Sequence, residues 1–272
     1  MSQPLFLAYF VEAYTLRNVL ANIYKEVGQM TTIFTKEHIL TSVRNKDNYA
    51  TIEFKIKTCE LQKYEYNAVD EAGNLLAEFP VGLETQKMML ATKTIGRKDG
   101  LCIYMHPEKH SVYVKTIASS NGSRPNPVSI IQEATLDGYE YYELPPYKRS
   151  DDNPNVSVYA KEFSTMCNAM VVNKCSCVDI VPYETGVLFR GIAADKSEIR
   201  IEPFGNCVCA EGEEEPTPIR IPIKTIKALS KINAFSTTGS KIKIYHEGGP
   251  LKMVSPVGTY GTYTIVLKNT AC

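Results

Sequence analysis

The residues in this chain best typed for chemistry are two pairs of cysteines, two spaced histidines and a regular set of cations. Cys175 and Cys177 form one Cys-x-Cys pair, and Cys207 and Cys209 another, so four thiolates invite a zinc reading. A single intervening residue in a strand only puts both side chains on one face, whereas zinc ribbons space their ligands by about two to four residues. The pairs are therefore expected to be strand cysteines. His106 and His110 bracket Pro-Glu-Lys between two β-rich runs, which reads as a hairpin loop. Gly248-Gly249-Pro250 and residues 258–261 are turn signals, and neither opens a helix as a phosphate loop does. No Ser/His/Asp set, Cys/His pair or spaced carboxylate dyad stands out. The residues imply no catalytic group, no metal and no cofactor.

The cations are different, because their spacing is organised. A helix turns about 100° per residue, so facing follows from spacing. Four stretches read as helices: 14–27, 84–98, 160–172 and 223–235. In the first, Leu16, Val19, Leu20, Ile23 and Val27 share one side, while Arg17, Asn18, Ala21 and Lys25 take the other. In the fourth, Ile226, Leu229 and Ile232 oppose a lysine row, Lys224, Lys227 and Lys231, at i, i+3 and i+7. The second contains Lys87 and sets Met88, Ala91 and Ile95 against Gln86 and Lys93, with Arg97 and Lys98 at its end. The third sets Phe163, Met166, Cys167 and Met170 against Lys161, Ser164, Thr165 and Asn168.

Lysines on a single exposed helix face are routine solubility devices. The sum is not routine. The four stretches hold ten basic and three acidic residues, a net of +7, inside a chain of 30 Lys+Arg and 30 Asp+Glu. The rest of the chain must carry −7, so the neutral total averages two oppositely charged surfaces. A basic face without a base-reading motif suits contact with a phosphate backbone and no sequence selectivity.

The elements that must position these faces follow from length and punctuation. With 272 residues and 44% hydrophobic content, the chain has room for one large domain or two ordinary ones. Zero net charge is not that of a polycation or an acidic tail protein. No apolar run approaches the ~20 residues of a membrane span. The first residues lack a secretory signal's basic region and cleavage site, so the eight cysteines are read as reduced thiols. Residues 121–155 hold five of the fifteen prolines and one strand-like run, 128–134. Proline removes ladder donors, so this stretch reads as connector. The expected division is 1–137, a linker at 138–155, and 156–272. Each half runs strand, helix, strands, then strand, helix, turn, strands, an internal duplication with a period of roughly 150 residues.

Four passages carry a family resemblance: LFLAYFVEAYTLRNVLANIYKEV, VGLETQKMMLATKTIGRKDGLCIYM, VSVYAKEFSTMCNAM with the following ETGVLFRGIA, and IRIPIKTIKALSKINAFSTTGSKIKIYHEGGPLKM. With the acidic loop at 211–215, they resemble the sliding clamps of the proliferating cell nuclear antigen family, across essentially the whole chain. The divergence points to a viral or distant eukaryotic source. The resemblance implies an α+β DNA-clamp fold, with two similar subdomains, antiparallel sheets outside and two helices from each on the inner face. It implies three copies closed head-to-tail around double-stranded DNA, tethering DNA polymerase and other proteins through short peptides. Arg17, Lys93, Lys224, Lys227 and Lys231 then look like lumen residues, joined by Lys25, Lys87, Arg97, Lys98 and Lys161. Thr165, Asn168 and Val172 stand where the family commonly has cations, so the third helix contributes less.

The family's peptide pocket maps onto Val43, Arg44, Tyr142, Leu144, Pro250, Val266, Leu267 and Lys268. Arg44 and Lys268 replace smaller residues there, which implies a shifted peptide preference. The subunit contact implied is between strand edges at 111–118 and 198–203, with Tyr113, Val114, Ile199 and Ile201 in it. The family implies no enzyme activity and no membrane, in the nucleus or, for a virus, at a cytoplasmic replication site. Two other readings stay open: a monomeric processivity or transcription accessory factor of the same fold, and an enzyme with a divergent site using the Cys-x-Cys pairs.

Overall fold

Apolar residues alternate along most of the chain, and in the computed structural model that alternation becomes strands. The structure describes residues 3–108, 111–119, 128–132, 140–144, 153–193, 198–201, 204–209, 214–246 and 249–270. The chain divides into two compact units. The first comprises Met1–Val43, Glu53–Glu143 and Val257–Thr262, and the second Arg44–Ile52, Leu144–Pro256 and Tyr263–Cys272.

The first unit runs β1 (Phe6–Phe10), α1 (Ala13–Glu26), β2 (Gln29–Phe34), β3 (His38–Arg44), β4 (Ala50–Lys57), β5 (Lys63–Tyr66), β6 (Phe79–Glu84), α2 (Thr85–Thr92), β7 (Gly100–Met105), β8 (Ser111–Ile117) and β9 (Val128–Gln132). Its strands lie in the orders β5-β1-β7-β8-β9 and β6-β2-β3-β4. Register follows the period of two: Phe6 faces Met105 and Phe10 faces Leu101, with Phe6, Ala8 and Phe10 buried and Leu7 and Tyr9 half-exposed. The core brings Phe6 onto Phe34, rings stacked at 3.7 Å, and Leu16, Leu20 and Met88 of the two helices onto Phe10, Met30 and Ile103. The Thr85 hydroxyl donates to the Val27 carbonyl at 2.6 Å, which ties the start of α2 to the end of α1.

The second unit repeats the plan with β10 (Val156–Tyr159), α3 (Ala160–Val172), β11 (Cys175–Tyr183), β12 (Thr185–Ala193), β13 (Glu198–Arg200), β14 (Phe204–Asn206), β15 (Ile219–Pro222), α4 (Ile223–Leu229), β16 (Lys241–Tyr245), β17 (Leu251–Val257) and β18 (Gly261–Leu267). Here the orders are β13-β12-β11-β15, with β14 also on β12, and β10-β16-β17-β18. Three pairings correspond directly. β1 with β7 corresponds to β10 with β16, β2 with β3 to β11 with β12, and β2 with β6 to β11 with β15. The duplication read from element order is thus also a duplication of strand pairing, and the fold is the α+β clamp fold that the resemblance implied. No helix is long and apolar enough to cross a membrane among the described residues.

Three expectations change. The expected helix 84–98 ends at Thr92, because the Thr92 hydroxyl bonds back to the Met88 carbonyl at 2.9 Å and Gly96 follows shortly. The expected helix 223–235 stops at Leu229, where the Ser230 hydroxyl bonds the Lys227 carbonyl, and resumes as a 3-10 turn, Ile232–Ala234. The units are also not contiguous in sequence. Residues 44–52 join the second, where the Lys268 N–H donates to the Tyr49 carbonyl and the Tyr49 and Thr225 hydroxyls meet at 2.5 Å. Residues 257–262 join the first, where the Lys57 N–H donates to the Tyr260 carbonyl and the Tyr260 ring lies edge-on to Phe10. Of the expected linker, residues 145–152 lie outside the described residues, as does 138–139.

Gly205 and Gly239 separate two costs of a turn. Both have φ near +80°, at 79° and 77°. A Cβ on Gly205 would sit 2.3 Å from the Thr185 carbonyl oxygen, whereas a Cβ on Gly239 would meet nothing within 4 Å. Gly205→Ala is expected to cost about 2–4 kcal/mol, from left-handed backbone plus overpacking. Thermal melts should show a drop of about 5 °C or more for Gly205→Ala and a clearly smaller one for Gly239→Ala.

Candidate nucleic-acid interface

In the first unit α1 and α2 pack side by side; Asn22, Thr85 and Thr92 are buried with the apolar stripes, while the charged residues described on these helices stay outside the core. Arg17 is half-buried: its Nη1 donates to the Ile95 carbonyl at 2.8 Å, and its guanidinium carbon lies 5.3 Å from the Tyr14 ring centroid. Arg97, exposed in the turn after α2, places its guanidinium 5.9 Å from the same ring. Each such contact is worth about 0.5–1 kcal/mol at an exposed site. Lys93 and Lys98 are exposed beside it, while Lys87 pairs with Glu84 at 3.0 Å. Of Lys25, only its place in α1 is described. Asp99, the nearest acid in sequence, is taken up by the Gly96 and Ser119 N–H groups.

In the second unit α3 packs on α4, with the Asn233 N–H donating to the Ser164 hydroxyl at 3.3 Å. Lys224, Lys227 and Lys231 are all exposed, Lys231 in the joint between α4 and the 3-10 turn. Lys224 forms an ion pair with Asp47 and lies 5.7 Å from the Tyr49 ring. Both partners of that pair are more than half exposed, so it is worth about 0–1 kcal/mol and yields readily to a phosphate. On α3, Lys161 is exposed beside Glu162, and the outward Thr165, Asn168 and Val172 carry no charge. Among the described residues no carboxylate pairs with Arg17, Lys93, Arg97, Lys98, Lys161, Lys227 or Lys231. What the helix faces can do is attract an extended polyanion.

Sequence reasoning missed Tyr14 and Asp47. Tyr14 was legible in principle, since Tyr-x-x-Arg puts ring and guanidinium on one helix face. Asp47 lies 177 residues from Lys224, and no local signal joins them.

The expected peptide-pocket residues separate into two groups. Val43, Val266 and Leu267 are buried at 2%, 1% and 0% exposure, so their side chains belong to the core and offer a partner only backbone. In the first unit the Ser42 hydroxyl donates to the Tyr142 carbonyl, and the Tyr142 hydroxyl to Glu140 at 2.5 Å. Arg44 and Leu144 are half-buried in the second unit. There Pro250 and Lys268 do line a cleft, of about 450 Å³, with Pro182, Pro216, Pro218 and His246. The Asn155 carboxamide braces it by accepting from the His246 N–H at 2.9 Å and donating to the Glu184 carbonyl at 2.8 Å.

The expected subunit edges need correction. β8 is not an edge: β7 pairs with it on one side and β9 on the other, with Tyr113 opposite Ile130 and Val114 opposite Ser129. Within the run at 128–134 that read as an interruption of the connector, Val128–Gln132 is the strand that covers β8, and 133–134 lie outside the described residues. Along β8 the period of two buries Val114 at 1% and leaves Tyr113 half-exposed, stacked on Tyr104 at 5.0 Å, so the pair cannot share one surface. β13 does keep one side unpaired among the described residues, with Ile199 and Ile201 half-buried.

The cysteine pairs are held apart. Cys177 lies opposite Ile192 at one end of the β11–β12 hairpin, whereas Cys207 follows β14, which pairs with Thr185–Val187 at the other. Seven strand residues separate Thr185 from Ile192, about 23 Å. Burial pushes the Cys102, Cys167 and Cys175 thiols up, away from thiolate reactivity. Near Cys207 and Cys209, burial and then a hydrogen bond to Glu215 push Tyr183 up to about 12.

The fold is that of the proliferating cell nuclear antigen clamps. The crystal structure of the proliferating cellular nuclear antigen from Entamoeba histolytica superposes with a TM-score of 0.74 over 99% of this chain and 100% of its own, at 14% identity. The PCNA2–PCNA3 complex from Sulfolobus tokodaii gives 0.71 over 96% and 98%, at 12% identity. No protein-family model matches the sequence, and no curated protein matches it.

Reversing the lysine row tests the face. Lys224→Glu, Lys227→Glu and Lys231→Glu together should reduce duplex affinity at low salt by about tenfold or more and flatten the log–log salt slope by about 3. Because all three are exposed, circular dichroism and the melting temperature should stay near wild type. Unchanged duplex binding would show that the assigned face is wrong.

Proposed function

We propose that this chain is a sliding clamp: three copies close around double-stranded DNA and tether a polymerase and other replication and repair proteins. The observation that carries the reading is the coincidence of a clamp fold over 99% of the chain with exposed cations on both helix pairs. The mechanism is topological. Exposed cations lower the energy of nearby phosphates without fixing a register, so the ring slides, while closure prevents escape. No base-reading geometry is required, and the protein performs no bond chemistry of its own. Short partner peptides dock at the proline-walled cleft of the second unit, whose Lys268 rim favours peptides with an acidic residue nearby.

Assembly proceeds by antiparallel addition of one edge strand to another, which satisfies backbone groups on both. With β9 on β8, the strand available in the first unit is β9 itself, paired with β13 of a second copy. A heterologous contact of this kind closes when its rotation allows.

The same observation favours a second reading. A β8 already covered by β9 also suits a monomeric accessory factor that does not encircle DNA. Mass in solution separates the two: light scattering should give about 91 kDa for three copies, against 30.4 kDa for one. Encirclement is tested on nicked circular DNA. The protein should be retained on the circle and released when it is linearised; retention after cutting would rule out the topological mechanism.

A further inference from the structure

We propose that Thr217 is the acceptor of a proline-directed protein kinase, and that its phosphate turns the proline-walled cleft of the second unit from one that favours acidic peptides into one that rejects them. The effect on peptides rests on the proposed docking at that cleft; the modification itself does not.

The sequence offers such a kinase two hydroxyls followed by proline, Thr217-Pro218 and Ser255-Pro256. The structure withdraws one of them. Ser255 is 1% exposed inside β17, with its hydroxyl 2.7 Å from that of Ser236. Thr217 is exposed, in a stretch that belongs to no strand or helix, and its hydroxyl enters no hydrogen bond among the described residues. Pro216 and Pro218 have no N–H to give a ladder, and each pushes the residue before it out of the helical region. Thr217 is therefore presented on extended backbone, the form in which its oxygen can line up with a γ-phosphate. Arg220, three residues on, is already bound to Asp179 at 2.6 and 2.8 Å, which leaves Pro218 as the feature to recognise.

The surroundings give a phosphate there its effect. The Pro-Thr-Pro bridge is fixed at both ends. Glu215 accepts from the Tyr183 hydroxyl at 2.8 Å and from Arg190 at 3.0 Å, and Ile219 pairs with Ile180 in the β11–β15 ladder. A new charge on Thr217 therefore stays at the cleft, which Thr217, His246 and Lys268 line together. A sphere of the cleft's 450 Å³ is about 10 Å across, close to the Debye length at physiological salt, so little screening intervenes. Phosphothreonine carries about −1.5 to −2 charges and three acceptor oxygens, which outweigh the single ammonium of Lys268 or bind it outright. The transfer itself balances simply. Thr217 Oγ1 bonds to the γ-phosphorus of the kinase's nucleoside triphosphate, and the bond to the β–γ bridging oxygen breaks. The nucleoside diphosphate leaves, and the hydroxyl proton passes to the kinase's base.

The full chain, incubated with a proline-directed Ser/Thr kinase and labelled nucleoside triphosphate, can be digested and mapped by mass spectrometry. Label should fall on Thr217 and be lost in Thr217→Ala, with Ser255 unmodified. Two fluorescent peptides then read the cleft; they share one Leu/Phe core and are flanked by aspartates in one and lysines in the other. Phosphorylation should weaken the aspartate peptide about tenfold and leave the lysine peptide unchanged or tighter, whereas damage to the cleft weakens both. Absence of label at Thr217 in the folded chain would overturn the site. Label that leaves the aspartate peptide's affinity unchanged, or weakens both peptides alike, would overturn the switch. If neither peptide binds the unmodified chain, the docking reading fails by itself, and labelling alone still decides whether Thr217 is a kinase acceptor.

Discussion

The constraint on which the rest depends is that two helices sharing one core must turn their polar faces away from it together. In the first unit Leu16, Leu20 and Met88 go into the same interior as Phe10 and Phe34. In the second, Phe163, Met170, Ile226 and Leu229 are all buried within 1% exposure. Once those stripes are committed, the position of every other helix residue follows from about 100° of turn per residue. Arg17, Lys93, Lys161, Lys227 and Lys231 then have no other place to go. Charge segregation is thus a by-product of packing, with few acids on the same faces, Glu162 beside Lys161 among them.

The two helix pairs hold their cations in different ways. In the first, Arg17 and Arg97 lie against the Tyr14 ring and Arg17 also bonds the Ile95 carbonyl just beyond α2, so part of its rotamer entropy is lost before any ligand arrives. In the second, the lysines are exposed ammonium groups, Lys224 paired with Asp47, and α3 offers the uncharged Thr165, Asn168 and Val172. An exposed ion pair such as Asp47–Lys224 costs little to exchange for a phosphate.

Strand edges govern the other surface. β9 occupies the flank of β8 in the position that β18 occupies on β17, so the repeat continues one strand further than the helix pattern suggests. The consequence is that association at the β8 side of this sheet uses β9 as its template. Alternation explains why Val114 falls inside, between the half-exposed Tyr113 and Lys115, whereas Val266 and Leu267 lie in a run of β18 that is buried on both faces. The cleft walls, by contrast, come from prolines: Pro216, Pro218 and Pro250 outside the strands and Pro182 near the end of β11.

Much of this was legible in the residues themselves. Strand and helix periods, the doubled order of elements, the apolar stripes and the cationic faces are all local properties, because side-chain direction repeats every 2 or about 3.6 residues whatever the chain does later. The helix ends were partly legible, since Thr92 and Ser230 bond back to their own helix. Partnership was not. That 128–132 covers β8, that 44–52 binds near Lys268, that Tyr260 belongs with Phe10, and that Asp47 answers Lys224 all join residues distant in sequence. Hydrophobic pattern says which face a strand buries but leaves its backbone donors and acceptors unassigned until another strand satisfies them. The sequence by itself determined which residues would face the core and which would carry charge outward. Only the tertiary structure decided which strand pairs with which, because that choice is made by hydrogen bonds whose partners have no sequence signature.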